Sequence, residues 1–320
     1  MHQLTLARPK NNQWGNYLIQ QLVDSGKYQV RFEEFPPFQA LGRRRGNLKP
    51  LKIDGSLVVI DDWDFAHPTS RLDAAFFDQN PFYRDIKLIL KVQYSQLDKP
   101  SYPPIPIEPF LIFPRSTFKL GVFDWQPGGD LIAAFSGKPW RNRRAWIKQM
   151  QSMSSLHLVV GNPDPSVQEP YYDTLRRCTW GLILKGKGPG GKNRRETEYL
   201  SCGMPLALNY KPEYPFPFEP GIDYVYLEKP SDLNHLDQID PVPFSRRSRF
   251  NYEKYFSSQG IVDTFERLTR KHLKTGSGDN LPGADGCTPQ RSAFSLPPAG
   301  VMGGLSALFH LLAVTHFDLL

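Results

Sequence analysis

Long apolar runs are missing from this 320-residue chain. Because a membrane-spanning helix needs about 18 or more consecutive apolar residues, the sequence predicts none. The most apolar stretch, residues 305–320, is short and interrupted by His310, His316 and Asp318. Residues 1–14 contain no apolar core of the length found in a signal peptide. We therefore expect a cytoplasmic protein, with a peripheral contact at the inner face of the membrane as a further expectation.

Cysteine is also scarce. The chain has 3 Cys, at Cys178, Cys202 and Cys287, and no two of them form a CxxC pair. An odd, sparse set of this kind provides neither a disulfide framework nor a zinc motif. The sequence therefore predicts no metal site and favours a reducing compartment.

The charges that are present are mostly basic. Lys and Arg total 39 against 32 Asp and Glu, so the formal net charge is +7. Such a balance favours anionic partners, among them phosphates, nucleotides, acidic lipid headgroups and nucleic acid, without choosing between them. Hydrophobic residues make up 40 % of the chain, which supports a buried core, and the length suits two domains.

Strands and helices alternate along the chain. The N-terminal part predicts a helix at 13–25 and strands at 28–32, 56–60 and 86–92, before a proline-rich stretch at 99–113. The second part predicts strands at 130–135, 156–160, 180–184, 205–208 and 224–227, and helices at 141–153, 167–177, 194–202 and 252–273. This alternation predicts parallel sheets with right-handed crossovers. We expect an α/β fold with two Rossmann-like domains, at 1–115 and 116–274, facing each other across a cleft. The tail at 275–320 is expected to be a flexible extension or sequence foreign to the fold.

The segment Trp180–Leu208 carries the chemistry. A strand runs into a glycine-rich loop at 186–191, and the loop runs into a helix. Glycines allow backbone N–H groups to approach an anion closely, and helix N-termini attract phosphate. Basic residues add positive charge at the same place: Lys185, Lys187, Lys192, Arg194 and Arg195. The pattern predicts a diphosphate ligand that contacts Lys185, Gly186 and Lys192, among others.

A second strand-to-helix turn, at Gly137 and Lys138, is predicted to approach the diphosphate from the opposite side of the cleft. Lysine is a compact positive charge suited to phosphate. An ordinary loop between strand and helix is the alternative.

The loop also comes close to a nucleotide-binding motif of another class. Residues 186–193, GKGPGGKN, differ from the Walker A pattern at one position, where Asn193 replaces the hydroxyl that would hold Mg²⁺. A P-loop-like phosphotransferase therefore stays open as an alternative. A non-enzymatic polyanion-binding protein is a third, although the basic residues cluster around one loop instead of forming the long tracts expected for nucleic acid.

The residues after the loop resemble a known family. Arg195-x-x-Glu198, followed by Gly203-x-Pro205, resembles the donor-site signature of GT-B glycosyltransferases. Together with Phe135–Gly137 and the segment at 171–186, the wider pattern resembles the exostosin-type family, family 47, over less than a third of the chain. The helix before Gly203 is ended by that glycine, and Pro205 starts the next strand.

The resemblance implies an enzyme of polysaccharide biosynthesis. It would move a sugar from a nucleotide-diphosphate donor to a carbohydrate or lipid-linked acceptor, with no obligatory metal or other cofactor and no nucleic-acid partner. It implies that Glu198 holds the ribose hydroxyls, which suits a carboxylate because it can accept two hydrogen bonds. Arg195, one helical turn earlier, would reach the diphosphate.

A catalytic base is predicted in the loop after the strand at 56–60. Asp62, Asp64 and His67 are the candidates, because clustered carboxylates raise one another's pKa, which suits a general base. Near the donor helix, Asp223 is a candidate for binding donor hydroxyls. The aromatic loop at 210–220 is expected either to cover the ligand or to pack on the surface.

Overall fold

Two sheets follow one another along the chain. The structure is a computed structural model that describes residues 2–7, 15–36, 48–61, 74–94, 105–113, 120–137, 141–160, 168–186 and 192–273. Helices flank both sheets, so the predicted α/β class with two sheet units is confirmed. The domain boundary at 115/116 and the nature of the tail stay predictions.

The first sheet is mixed. Its six strands are His2–Ala7 (β1), Tyr28–Glu33 (β2), Leu48–Ile53 (β3), Ser56–Asp61 (β4), Ile86–Lys91 (β5) and Ile107–Pro109 (β6), in the order β2-β1-β3-β4-β5-β6. Its helices are Gly15–Asp24 (α1) and Ala74–Gln79 (α2), with a 3-10 turn at Pro81–Asp85. The predicted helix and the three predicted strands are present, whereas β1, β3 and β6 were not predicted. Strand β3 runs antiparallel to both of its neighbours, and the other pairs are parallel.

A two-residue hairpin explains the antiparallel strand. Asp54 and Gly55 have φ values of 47° and 84°, and two successive positive φ angles are what a type I′ turn requires. The Asp54 carboxylate accepts hydrogen bonds from the Gln3 amide at 2.8 Å and from the His2 ring at 2.6 Å, which fixes the turn against β1. Asp-Gly between two apolar runs is a sequence signal for such a hairpin.

The second sheet is entirely parallel. Its strands are Leu131–Gly137 (β7), Leu156–Val160 (β8), Cys178–Ile183 (β9), Leu206–Leu208 (β10) and Tyr224–Tyr226 (β11), in the order β11-β10-β9-β7-β8. Its helices are Arg144–Gln151 (α3), preceded by a 3-10 turn at Arg141–Arg143, Gln168–Arg176 (α4) and Arg195–Ser201 (α5). Every strand and helix predicted for this sheet is confirmed, and the ends differ from the predicted ones by no more than two residues, except that α3 begins three residues later than predicted, after the 3-10 turn.

Helices cover both faces of the second sheet. Trp146 and Met150 of α3 pack in one core cluster with Trp180, and Leu175 of α4 and Leu200 of α5 belong to another. The chain moves one way from β7 to β8 and the other way from β9 to β11, so the strand order reverses between β7 and β9. In open α/β sheets, ligands bind at the carboxyl ends of the strands at such a reversal. The fold therefore points to the residues that follow β7 and β9.

The last described helices return to the first sheet. Helix Val242–Asn251 (α6) passes through a π-helical turn at 252–256 into Ser258–His272 (α7), where one helix was predicted at 252–273. Phe265 of α7 lies edge-on to Tyr28 and to Phe110, with ring centroids 6.3 Å away in each case. The apolar face of α7 is thus buried by packing. Within the described residues, no helix has the length and apolar character to cross a bilayer.

Candidate functional site

The carboxyl end of β9 is held by a pair of side chains from the 3-10 turn after β7. Arg143 donates from Nε to the Lys185 carbonyl at 2.9 Å and from Nη2 to the Leu184 carbonyl at 2.7 Å. Asn142 donates from Nδ2 to the carbonyls of Lys185 and Gly186, at 3.2 and 3.3 Å. Three successive peptide groups at the strand reversal are therefore fixed in orientation.

Two buried guanidinium groups lie close to each other at this end of the sheet. Arg143 is 5 % exposed and Arg195 is 6 % exposed. Burial, and then the nearby positive charge of Arg195, lower the pKa of Arg143 to about 10, so Arg143 is still cationic at neutral pH. Phe135 lies under Arg143 and Tyr171 under Arg195, each with the ring centroid 5.4 Å from the guanidinium carbon. Paired cations of this kind favour an anionic ligand.

Glu198 and Arg195 lie on one face of α5, as their spacing predicts. Glu198 is buried, and Tyr199 on the same face shares a 2.8 Å hydrogen bond with Tyr171 of α4. Burial lowers the pKa of Arg195, but the neighbouring Tyr171, Tyr199 and Glu198 outweigh burial and hold this pKa above its ordinary value. The arrangement keeps Arg195 charged beside a carboxyl group. The ligand roles of both residues stay predictions.

Glu196, between these two residues, is a buried hydrogen-bond hub that the sequence analysis missed. It is fully buried and accepts hydrogen bonds from the hydroxyls of Tyr210 and Tyr214, each at 2.6 Å, and from the Asn193 amide. Burial raises the pKa of Glu196, although these hydrogen bonds oppose the shift. The spacing Asn193-x-x-Glu196 before an apolar helix is a capping pattern, and it could have identified Glu196.

The aromatic loop at 210–220 packs against the protein. Phe216 stacks on Tyr255 with ring centroids 3.7 Å apart, and Tyr214 lies edge-on to Phe256. The alternative of a packed loop therefore describes this segment in the structure. Beyond it, Asp223 is 1 % exposed and accepts hydrogen bonds from Arg247, at 2.7 Å, and Asn251, at 2.8 Å. These contacts engage Asp223 in packing instead of leaving it open to donor hydroxyls.

Lys192 connects the second sheet to the first. Its side chain is 3 % exposed, and Nζ donates to the Phe110 carbonyl at 2.9 Å and lies 4.5 Å from the ring centroid of Tyr214. Its own carbonyl accepts from Gln93 Nε2 at 2.8 Å. The predicted phosphate-binding lysine is therefore engaged with the segment that follows β6.

Burial of Lys192 makes stability depend on pH. Burial lowers the pKa of Lys192 to about 7, whereas an exposed lysine in the unfolded chain has a pKa of about 10.4. Between these values the unfolded chain binds one more proton, so stability rises with pH by up to about 1.4 kcal/mol per unit. We expect the free energy of unfolding of the wild type, minus that of Lys192→Met, to increase from pH 7 to pH 9 in urea titrations.

An exposed lysine provides the control for this measurement. Lys148→Met removes one positive charge from the surface of α3 and leaves the contact between Lys192 and Phe110 intact. If the difference between wild type and Lys192→Met does not change with pH, the lysine retains its charge when buried and the expectation is wrong.

The carboxyl edge of the first sheet carries a buried ion pair. Lys91 Nζ lies 2.8 Å from Asp61 Oδ2, and both side chains are fully buried at the ends of β5 and β4. The predicted bases that follow, Asp62, Asp64 and His67, lie outside the described residues, as does Lys138.

The predicted glycines lie at the strand reversal. Gly137 is the last residue of β7, and Gly186 follows β9. Among the described residues, none has an atom within 4 Å of a Cβ added at Gly186, so none of them fills the space beside this backbone. The described part of the chain contains no group of three or more His, Cys, Asp or Glu placed to hold a metal ion.

Comparisons with known proteins give distant structural likenesses. No family model and no curated protein matches the chain. Among solved structures, it is similar to the pneumococcal O-GlcNAc transferase GtfA in complex with UDP and GlcNAc, at 12 % identity over 63 % of this chain and 48 % of that chain, with a TM-score of 0.37. It is similar to TarM at 12 % identity over 60 % and 46 %, with a TM-score of 0.38. It is also similar to Anabaena Alr3699/HepE in complex with UDP and glucose, at 11 % identity over 79 % and 88 %, with a TM-score of 0.40.

The chain thus spans just under half the length of the first two of these structures. At such identities and TM-scores, the likenesses do not determine the chemistry of this chain. The chemistry of this chain therefore has to follow from the residues where the strand order reverses, between β7 and β9.

Proposed function

We propose that the chain is a GT-B glycosyltransferase that moves a sugar from a nucleotide-diphosphate donor to a carbohydrate or lipid-linked acceptor. One observation carries the proposal. The strand order reverses between β7 and β9, and the buried cations Arg143 and Arg195 lie close together at that reversal, near Gly186, where no described residue would contact an added Cβ atom. A reversal in an α/β sheet is where a nucleotide binds, and cations beside a glycine backbone suit its diphosphate.

Each residue has a role in this proposal. Arg195 and Lys185 bind the diphosphate, and the backbone of Gly137 and Gly186 allows it a close approach. Glu198 accepts hydrogen bonds from the ribose hydroxyls.

Transfer breaks the bond between the anomeric carbon of the sugar and the diphosphate oxygen. Negative charge develops on the departing nucleotide as that bond breaks, and a guanidinium held in place beforehand stabilises this charge without reorganisation. An acceptor hydroxyl attacks the anomeric carbon and gives its proton to a base, for which Asp62, Asp64 and His67 remain the candidates. In this proposal, protein side chains supply the positive charge that stabilises the departing nucleotide diphosphate.

The phosphotransferase alternative is less well supported. In a Walker A loop the lysine reaches the phosphates and the next side chain holds Mg²⁺. Here Lys192 Nζ donates to the Phe110 carbonyl, and Asn193 Oδ1 accepts from the Arg195 amide at 3.2 Å. The polyanion-binding alternative is weakened because Lys192 and Arg195 are buried: a long polyanion needs cations exposed along a surface, whereas a diphosphate is small enough to bind in an enclosed site.

The finer parts of the proposal rest on the sequence. The exostosin-like pattern at 135–205 favours a hexosyl or related transferase of polysaccharide biosynthesis. A cytoplasmic location with peripheral membrane contact, and the absence of an obligatory metal, stay predictions.

Nucleotide binding tests the proposal directly. Thermal unfolding is measured with UDP, GDP, CMP, dTDP, ADP and ATP, with and without Mg²⁺, on the wild type and on Glu198→Gln. We expect one diphosphate to raise the midpoint without Mg²⁺, and Glu198→Gln to weaken its binding by about 10- to 100-fold, because an amide replaces a carboxylate that accepts from two hydroxyls.

The exposed Glu253→Gln is the matched control and should bind like the wild type. A shift with ATP alone, and only when Mg²⁺ is present, would favour the phosphotransferase. The absence of any shift would contradict a nucleotide-dependent function.

A further inference from the structure

The side-chain amide of Gln93 has a hydrogen-bond partner for its nitrogen but none, among the described residues, for its oxygen. It follows β5 at the carboxyl edge of the first sheet and is 4 % exposed. Its Nε2 donates to the Lys192 carbonyl at 2.8 Å, whereas its Oε1 is buried and has no hydrogen-bond partner among the described residues. Buried side-chain oxygens nearly always accept a hydrogen bond, so this one calls for a donor that the described residues do not supply.

Neighbouring cations do not fill this role. Lys91, two residues earlier, forms the buried pair with Asp61, and Lys192 Nζ donates to the Phe110 carbonyl. Gln93 is therefore tied to the residue that follows the glycine-rich segment, while no described residue donates to its Oε1 atom. This places one polar atom of the first sheet beside the proposed donor site of the second.

The chemistry of Oε1 selects the ligand group. An amide oxygen accepts hydrogen bonds and repels phosphate oxygens, so its partner must be a hydroxyl or an amine. In a nucleotide sugar, hydroxyl groups lie on the ribose, which the proposal assigns to Glu198, and on the transferred sugar, whereas the diphosphate carries none.

We propose that Gln93 Oε1 accepts a hydrogen bond from a hydroxyl group of the bound donor sugar, so that the first sheet contributes a specificity-determining residue. The inference rests on the proposed glycosyltransferase function. It predicts that Gln93 distinguishes a nucleotide sugar from its free nucleotide diphosphate.

The test compares these two ligand classes. Dissociation constants are measured calorimetrically for UDP and GDP and for UDP-glucose, UDP-N-acetylglucosamine and GDP-mannose, on the wild type and on Gln93→Met. Methionine keeps the size of the side chain and removes both the acceptor Oε1 and the Nε2 donor to the Lys192 carbonyl. We expect unchanged binding of the free diphosphate and about tenfold weaker binding of the matching nucleotide sugar.

Thr197→Val is the matched control. Thr197 Oγ1 donates to the Ile112 carbonyl at 2.9 Å, so this variant also removes one side-chain hydrogen bond between α5 and the segment after β6, without removing an orphaned acceptor. It should change both ligand classes equally or not at all. If Gln93→Met does not fold, Gln93→Asn, which withdraws the amide by one methylene, takes its place.

The outcomes separate the two proposals. If Gln93→Met weakens the binding of both ligand classes equally, Gln93 does not contact the transferred sugar and the inference is overturned. Unchanged dissociation constants for both classes would overturn it as well. Failure of the wild type to bind any of the nucleotides and nucleotide sugars would overturn the proposed function and the inference with it.

Discussion

Replacing Glu196 with leucine should lower the free energy of unfolding by about 3–5 kcal/mol, because the carboxylate is the shared acceptor for two tyrosine hydroxyls and one backbone amide in the interior. Leucine leaves all three donors buried without a partner. The two tyrosines belong to the aromatic loop and Asn193 precedes α5, so the loop and the helix should loosen together. Urea unfolding of wild type and variant measures the difference.

Removing a single donor from the hydrogen-bond cluster around Glu196 should cost less than removing the carboxylate. Tyr210→Phe and Tyr214→Phe each remove one donor and leave the carboxylate with the other two partners, so each should cost about 1 kcal/mol. Glu253→Leu, at an exposed position, should stay within about 0.5 kcal/mol of the wild type. A loss of less than about 1 kcal/mol in Glu196→Leu would mean that the cluster is not a support of the fold.

Replacing Arg143 with methionine should cost about 2–4 kcal/mol of stability and weaken binding of a nucleotide diphosphate at least tenfold. Two charge-assisted hydrogen bonds to the carbonyls of Leu184 and Lys185 are lost, each worth about 1.5–3 kcal/mol, and the removal of a buried charge offsets part of this loss. The peptide groups before the glycine-rich segment then lose their fixed orientation. Urea unfolding and calorimetric titration with the diphosphate selected by the nucleotide panel measure the two effects.

The neighbouring arginine and a conservative replacement act as controls. Arg144→Met removes an exposed arginine one residue away and should leave both quantities near the wild-type values. Arg143→Lys keeps the charge but lacks the planar fork that reaches two carbonyls, so it should give an intermediate result. If Arg143→Met is stable and binds the diphosphate as tightly as the wild type, the hydrogen bonds from Arg143 to the carbonyls of Leu184 and Lys185 do not shape the site.

The second sheet could be predicted from the sequence because its information is local. Each buried strand is a short apolar run bounded by turn residues, and each helix shows its own apolar face, so the strand at 156–160 is placed without error. The strand reversal, which locates the site, follows from the pairing of β7 with both β8 and β9 and is not visible in the periodicity.

The first sheet was harder for a physical reason. Strand β3, LKPLKI, mixes lysine and proline with leucine, so its apolar pattern is weak, and only the Asp54-Gly55 pair indicates that it turns back on β4. Gln93 and Lys192 are 99 positions apart, and no local pattern connects them. Donor–acceptor pairs of this kind depend on how the two sheets pack, which the sequence does not show by inspection.

The return of α7 to the first sheet has a consequence for synthesis on the ribosome. Lys27, just before β2, bonds to Glu266 of α7, which is 239 positions later. At roughly 5–20 residues per second, roughly 10 to 50 s pass between the appearance of the two partners. During that interval the nascent first sheet has to expose the apolar surface around Tyr28 and Phe110 that Phe265 later covers. The burial of Tyr28 and Phe110 against Phe265 is therefore completed only after α7 has been made, late in synthesis.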